Sequence, residues 1–402
     1  MENITEFCTG CRTCEQVCPK SCISMKFSSE GFLEPFIDLD QCVDCGLCQR
    51  RCPQNNLKVY PLSEKVFAVK SKNDKELYKS ASGGAFAALA RYFLEQNGVC
   101  VGASYYKGWN VGHKIIRSLD DLPSLQSSKY VQSDTLHTYS EVRCLLSQGI
   151  KVLYSGTPCQ IAGLNSFLGN VDKSNLLTID LICHGVPSIK LFKSYIQWLE
   201  HRYGEPIIDF NFRDKSSGWG LNVKIKTKTK TKTRSCVIDP YYYHFLKGDT
   251  YRECCYRCSY SRPERVGDVT IGDFWGIESI LPDFFSKKGV SCLILNTPNV
   301  MALIPMFKSL FDMEEVSLND VMKFQRNLVA PTPRPDMRDI IYKRLDEKDL
   351  ESFFKTVLTY PLNVKSELIA ILPEWMKKVL RKMLSAVMRL SLIHISEPTR
   401  LR

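Results

Sequence analysis

The sequence predicts an α+β fold: a small cysteine-rich N-terminal domain, then an α/β body with a largely parallel sheet and a strand-rich C-terminal part. Three observations lead there. Two four-cysteine runs crowd the first 53 residues. From about residue 62, short β-branched apolar runs alternate with helix-period segments, the pattern of a parallel sheet with crossover helices. Between 206 and 295 strand and turn signals dominate. With 402 residues and 44% apolar side chains, the chain suffices for two or three domains, each with its own core. No stretch reaches the roughly 20 apolar residues that span a bilayer. Met1–Phe7 is short and acidic, without an export signal. The 18 cysteines are therefore expected in a reducing cytoplasm, as thiolate ligands rather than disulfides.

The first element spans 1–58. Cys8, Cys11, Cys14 and Cys18, followed by Pro19, follow the run C-x2-C-x2-C-x3-C-P, and Cys42, Cys45, Cys48 and Cys52, followed by Pro53, repeat it. Two residues between thiolates let one tight loop wrap three corners of an iron–sulfur cubane. The fourth ligand then comes from the other run, as in two-cluster ferredoxins. The expected sets are Cys8, Cys11, Cys14 and Cys52 for one [4Fe–4S] cluster, and Cys42, Cys45, Cys48 and Cys18 for the other. Structural zinc prefers two separated C-x-x-C knuckles, not three cysteines in seven residues with a trailing Cys-Pro. The element therefore reads as a ferredoxin-like domain. Segments 22–27 and 31–38 read as a hairpin over the clusters, with Cys22 a buried thiol outside the pattern.

Past Tyr60-Pro61 the body begins, in two parts, 62–145 and 146–330. Strands are expected at 66–71, 99–105, 114–117, 151–154 and 176–182, and helices at 82–96, 139–148, 158–168 and 188–202. Cys159 follows one of these strands and Cys183 the next. If the two lie parallel, both thiols emerge at the carboxyl edge of the sheet, where open α/β sheets hold ligands. Cys255 and Cys258, with Cys254 beside them, form a further C-x-x-C. Together these thiols are candidates for a third cluster. Core cysteines, a zinc site and a redox dithiol are the alternatives that spacing leaves open. No G-x-G-x-x-G follows an expected strand and no Walker loop occurs. The turns Ser82-Gly83-Gly84 and Ser155-Gly156-Thr157, the latter before Pro158, are candidate phosphate or flavin sites at helix N-termini, or ordinary helix caps.

The net charge of +11 is local. Lys224, Lys226, Lys228, Lys230, Lys232 and Arg234 alternate with threonine, as in an exposed hairpin strand whose lysines discourage edge pairing. The rest lies at 370–402; within the helical basic tail expected at 331–389, residues 373–388 have amphipathic spacing. That helix is a surface helix, or one that touches a membrane surface or a partner. No groove-reading motif accompanies the charge, so nucleic acid is not an expected partner. Leu390–Arg400 resembles a translated sequencing adapter. Residues 390–402 are read as non-native, and His394 and Glu397 carry no functional weight.

Six segments then occur in order: Ser82-Gly-Gly-Ala-Phe86, Ser128-Lys-Tyr-Val-Gln-Ser133, Ser155-Gly-Thr-Pro-Cys-Gln160, Asp180-Leu-Ile-Cys-His-Gly185, Cys255-Tyr-Arg-Cys258 and Gly267-Asp-Val-Thr-Ile-Gly-Asp-Phe-Trp-Gly276. Together they resemble the family of coenzyme F420 hydrogenase/dehydrogenase beta subunits, here behind a two-cluster ferredoxin. The resemblance covers about residues 1–300. It implies an FAD- and iron–sulfur-dependent oxidoreductase with Cys159, Cys183, Cys255 and Cys258 on a cluster beside the flavin. Ser82, Gly83, Gly84, Lys129, Tyr130, Gln132, Gly156, Thr157 and Gln160 would lie near FAD. His184 would be a proton donor or a structural hydrogen-bonding group, and Asp268 and Asp273 would fix flavin or substrate or cap turns; His184 and Asp273 are the catalytic candidates. The implied mechanism is a relay in which the clusters carry single electrons and FAD pairs two for a hydride-type transfer. The acceptor is a deazaflavin such as coenzyme F420 or another small molecule. Members also include chlorophyll-pathway reductases and bacterial proteins that accompany polysaccharide genes. The alternative is a non-catalytic electron-transfer component that feeds a redox partner protein.

Overall fold

A computed structural model of the protein describes residues 4–361 apart from 6 and 217. The tail helix at 373–388 and the segment 390–402 lie outside the described residues.

The N-terminal domain is built twice from the same backbone idea. Gly10 and Asp44, two residues after Cys8 and Cys42, both have positive φ (70° and 52°). So do Arg12 and Gly46, at 61° and 67°. Each second left-handed residue opens a short helix, Thr13–Val17 or Leu47–Arg50. Alternating left- and right-handed residues turn successive N–H groups inward and make an anion-binding concavity. The strands β1 (Ile23–Phe27) and β2 (Leu33–Ile37) pair antiparallel, Ile23 opposite Ile37. Ile23 packs with Ile4, Cys14, Cys22 and Cys52.

The body is one eight-stranded sheet. Its strands are β3 (Lys65–Ser71), β4 (Val99–Tyr106), β5 (Asn110–Ile116), β6 (Val152–Gly156) and β7 (Leu176–Leu181). After a small three-stranded sheet of β8 (Asp209–Asn211), β9 (Asn222–Lys226) and β10 (Thr231–Ser235), the chain returns with β11 (Val269–Asp273), β12 (Ser291–Leu295) and β13 (Phe311–Val316). The order is β13-β3-β12-β11-β7-β6-β4-β5. The four strands β11, β7, β6 and β4 run parallel to one another. This parallel core was the sequence expectation. The pairings of β12, β3, β13 and β5 are antiparallel. Strands from 62–145 and from 146–330 thus share one sheet.

Both faces of the parallel core are covered, which is why its strands are nearly continuous apolar runs. Ala87, Ala88 and Ala90 of the helix Ala85–Glu95 are buried, and their small size brings that helix close to the sheet. The helix Pro158–Leu168 begins with Pro158 at its first position and a capping box between Thr157 and Gln160. A second core, rich in aromatic rings, joins the helix Ile189–Tyr203 to the small sheet through Phe192, Tyr195, Phe210, Phe212 and Tyr241.

The Lys/Thr run is not one strand. It folds back at 227–230, with Lys226 opposite Thr231. Thr227 makes the turn: its Oγ accepts from Lys230 N–H at 3.0 Å. Arg234 is not a surface charge either, since its guanidinium donates to the Ile238 carbonyl and burial dominates its surroundings.

Candidate iron–sulfur and cofactor site

The two cysteine runs interleave in the fold. Cys18, Cys42, Cys45 and Cys48 line one small cavity, with Cys22 among them. Cys22 is buried, and its Sγ lies 3.4 Å from that of Cys18. Spacing alone had put Cys22 outside the pattern; the hairpin carries it to the cavity wall. Cys52 instead turns toward the first run, near Cys11 and Cys14. Gly10 N–H points at the Cys8 sulfur, 3.4 Å away. Cys45 is exposed, whereas Cys11, Cys14 and Cys52 are buried.

The larger cavity, about 300 Å³, opens at the carboxyl ends of β6 and β7. These strands are adjacent and parallel, Gly156 level with Asp180. Cys159 and Cys183 follow them directly, and both line the cavity together with Cys254, Cys255 and Cys258. Thr9 and Gln54 reach the same wall from the N-terminal domain. Burial pushes the Cys183 thiol up to about 12 and raises Cys258. Assembly of a cluster there would displace protons from these thiols. Among the described residues, no group of three His, Cys, Asp or Glu side chains closes on a single metal ion. A cubane holds its four thiolates farther apart than one ion does.

Asp180 sets the Cys183 loop. It is fully buried, pairs with Arg265 at 3.2 Å, and accepts from Val266 and Gly267 N–H. This fastens the end of β7 to the turn before β11. A buried pair with its remaining lone pairs satisfied fixes geometry more than it adds stability.

Of the nine residues placed near FAD by resemblance, eight line the cavity; Gly83 does not. A Cβ on Gly83 would lie 2.3 Å from Val69 O and 2.4 Å from Ser291 N, so the glycine is needed for main-chain packing. Gly84, at φ +83°, caps the helix Ala85–Glu95, whose first turn faces the cavity. Several side chains are already engaged by the protein. Lys129 Nζ donates to the carbonyls of Ser124, Gln126 and Ser127, although burial lowers its pKa to about 7. Three carbonyl acceptors suit the three N–H of the ammonium form. Tyr130 stacks on Phe245 at 4.3 Å and accepts from Arg213. Gln132 donates to Thr9 O, and Gln160 donates to Ser133 O while its Oε1 accepts from Thr157 N–H. Ser82 Oγ donates to Val290 O. The first-turn N–H groups after Gly84 remain to meet a ligand; after Thr157 only that of Cys159 does, since Pro158 has none and Gln160 N–H is taken by Thr157.

Asp273 lines the cavity but is held by Arg213 through two bonds of 2.7 and 2.9 Å, and by Trp219 Nε1 at 3.0 Å. The Arg213 guanidinium keeps its carboxyl below the usual range against burial. Asp268 accepts from Thr178 N–H and Oγ, which ties β11 to β7. His184 lines the cavity, and burial lowers its pKa, favouring the neutral ring. His113, not singled out from sequence, faces the same cavity between Ser155 O and Ser133 Oγ. Arg213 and Arg252 were also missed, because each is placed by contacts distant in sequence.

Residues 149–321 match the family model that describes the C terminus of the coenzyme F420 hydrogenase/dehydrogenase beta subunit. Residues 7–56 match the 4Fe-4S dicluster domain. The chain is 23% identical over 193 residues to one of the subunits of F(420)H(2) dehydrogenase from Methanosarcina mazei, across 44% of this chain and 53% of that protein. It is 44% identical over 52 residues to Ferredoxin 7Fe of Hydrogenibacillus schlegelii, across 12% of this chain and 60% of the ferredoxin. The chain thus spans about half the length of these relatives. A chain of the solved F420-reducing [NiFe] hydrogenase complex from Methanosarcina barkeri aligns at 16% identity with a TM-score of 0.48, covering 71% of this chain and 93% of that one. Over residues 149–321, behind a 4Fe-4S dicluster domain at 7–56, the chain is thus similar to the C terminus of coenzyme F420 hydrogenase/dehydrogenase beta subunits.

Proposed function

We propose that the chain is an iron–sulfur flavoprotein that relays electrons between its ferredoxin domain and a two-electron acceptor at the larger cavity. One juxtaposition supports this best: five cysteines, two helix N-termini and Thr9 of the ferredoxin domain line a single cavity. The ligand sets of this reading are Cys8, Cys11, Cys14 and Cys52; Cys42, Cys45, Cys48 and Cys18; and Cys159, Cys183, Cys255 and Cys258. FAD fits the donor set, since helix N-termini receive its phosphates and the cavity volume is that of a cofactor site. The residues around it would be Ser82, Gly84, Lys129, Tyr130, Gln132, Gly156, Thr157 and Gln160. Bound there, FAD supplies the exchange between single electrons and an electron pair. The protein's own part is to hold these walls rigid: Arg213 and Asp273 fix the Ala81–Gly84 turn, and Gln132 ties the cavity to Thr9. The acceptor class is a deazaflavin such as coenzyme F420, by likeness to the F(420)H(2) dehydrogenase protein.

Anaerobic purification with iron, sulfide and flavin analysis tests the reading. About twelve irons and one FAD per chain are expected for three cubanes. About eight irons without flavin would overturn the flavoprotein reading. Loaded protein that turns over F420 only when a partner is added would instead favour a non-catalytic electron-transfer component, a reading that the exposed Cys45 at the outer cavity supports.

A further inference from the structure

Arg252 is a buried cation between the two iron–sulfur regions. Its side chain is 5% exposed. Nε donates to the Cys8 carbonyl at 2.8 Å, and Nη1 reaches Gln132 Oε1 at 3.3 Å. Its guanidinium carbon sits 5.3 Å from the centre of the Phe32 ring. Two and three residues on, Cys254 and Cys255 line the larger cavity. The nearest carboxylate, Glu34, is 3.9 Å away and 55% exposed, so water screens it. Arg12, the arginine of the first cysteine loop itself, is neutralised by Asp134 and Glu15. The outer cavity, by contrast, has Lys20 and Asp44 at its rim, both exposed and opposite in sign.

We infer that Arg252 raises the reduction potential of the inner ferredoxin cluster, held by Cys8, Cys11, Cys14 and Cys52, above that of the outer one. The inference deepens the relay reading and rests on it. A cubane that accepts one electron gains one negative charge, and a buried unscreened cation stabilises that state most strongly where the dielectric is low. One electron from a low-potential one-electron donor, entering at the exposed Cys45 side, would then run downhill from the outer cluster to the inner one. No proton or bond moves in this step. Arg252 acts through the cluster and is a positioning residue.

The test is an EPR-monitored redox titration of the full chain, wild type against R252Q and R252K, with dithionite as reductant. An external dysprosium chelate identifies the outer cluster by relaxing its signal. R252Q is expected to shift the redox equilibrium of the shielded ferredoxin cluster at least tenfold toward the oxidised form, about 59 mV for one electron. The outer cluster should not move, and R252K should stay within twofold of wild type. Unchanged potentials in R252Q, an equal shift of both clusters, or a tenfold shift in R252K would overturn the inference. Should R252Q lose iron, R252K alone decides by the same threshold. A wild-type iron content near eight would count against the third cluster and leave the Arg252 result readable.

Discussion

Gly185 shows how a single residue controls the cavity. It follows Cys183 and His184 at φ +141°, and an added Cβ would lie 2.3 Å from the ring of Tyr251. That ring is buried, and its hydroxyl is fixed to Phe245 O, so it has nowhere to move. Gly185→Ala should cost about 1–3 kcal/mol from backbone strain alone, and more from the clash. It should also lower iron content, because the Cys183 loop must shift; thermal unfolding and iron analysis read the two effects. His113 makes a pH prediction. Burial lowers its pKa to about 4 from 6.5, so the folded state resists a proton that the unfolded chain accepts. Its contribution is complete above pH 6.5 and is lost as pH falls toward 4. A difference of 2.5 units corresponds to roughly 3 kcal/mol. Subtracting the stability–pH curve of His113→Gln from that of wild type should leave a slope confined to this window. A flat difference would refute it.

At the scale of elements, the Arg213–Asp273 pair joins three pieces of chain. Arg213 follows β8, Asp273 ends β11, and Arg213 also donates to Ala81 O beside the glycine turn. Asp273→Asn would leave a guanidinium, 1% exposed, without its counter-charge, at a cost of about 3–5 kcal/mol. R213M should cost a similar amount, and the double variant R213M/D273L much less than the sum of the two. Urea unfolding of all four proteins closes the cycle; additivity would mean that the pair is not coupled. Most of these elements were legible in the sequence, because burial on two faces writes continuous apolar runs for β6 and β7, and helix periodicity marks 85–95 and 189–203. The antiparallel strands β12 and β13 were not legible, since their pairing with β3 joins segments more than 200 residues apart. Nor was the turn at 227–230, which Thr227 makes without glycine or asparagine. The two N-terminal cysteine sets stood out because local spacing encodes them. Arg252 did not, since only folding brings it to Cys8.

On the scale of the whole molecule, the ferredoxin domain is fastened on several sides. Arg12 is paired with Asp134. Arg51 donates to Ser166 O while Ser166 Oγ donates back to Arg51 O. Gln54 reaches Tyr260 Oη, and Arg338 forks onto Glu30 at 3.0 and 2.5 Å. Thr135 Oγ donates to the Cys11 carbonyl at 3.1 Å. Such a spread of contacts opposes swinging about the connector at 57–62, whose Val59 is 91% exposed. A chain with a protease site inserted beside Val59 should therefore be cut without releasing the domain, and both fragments should elute together on gel filtration. Removing Glu30 and Asp134 charges as E30Q/D134N leaves Arg338 and Arg12 without these partners. Charged hydrogen bonds of this kind are worth about 1.5–3 kcal/mol each, so fragment affinity should fall at least tenfold, since every ~1.4 kcal/mol is a factor of ten. Release of the domain on cutting the parent chain would show that the connector, not the interface, holds it. Co-elution in the double variant at nanomolar concentration would show that the hydrogen bonds to carbonyls and Tyr260 suffice.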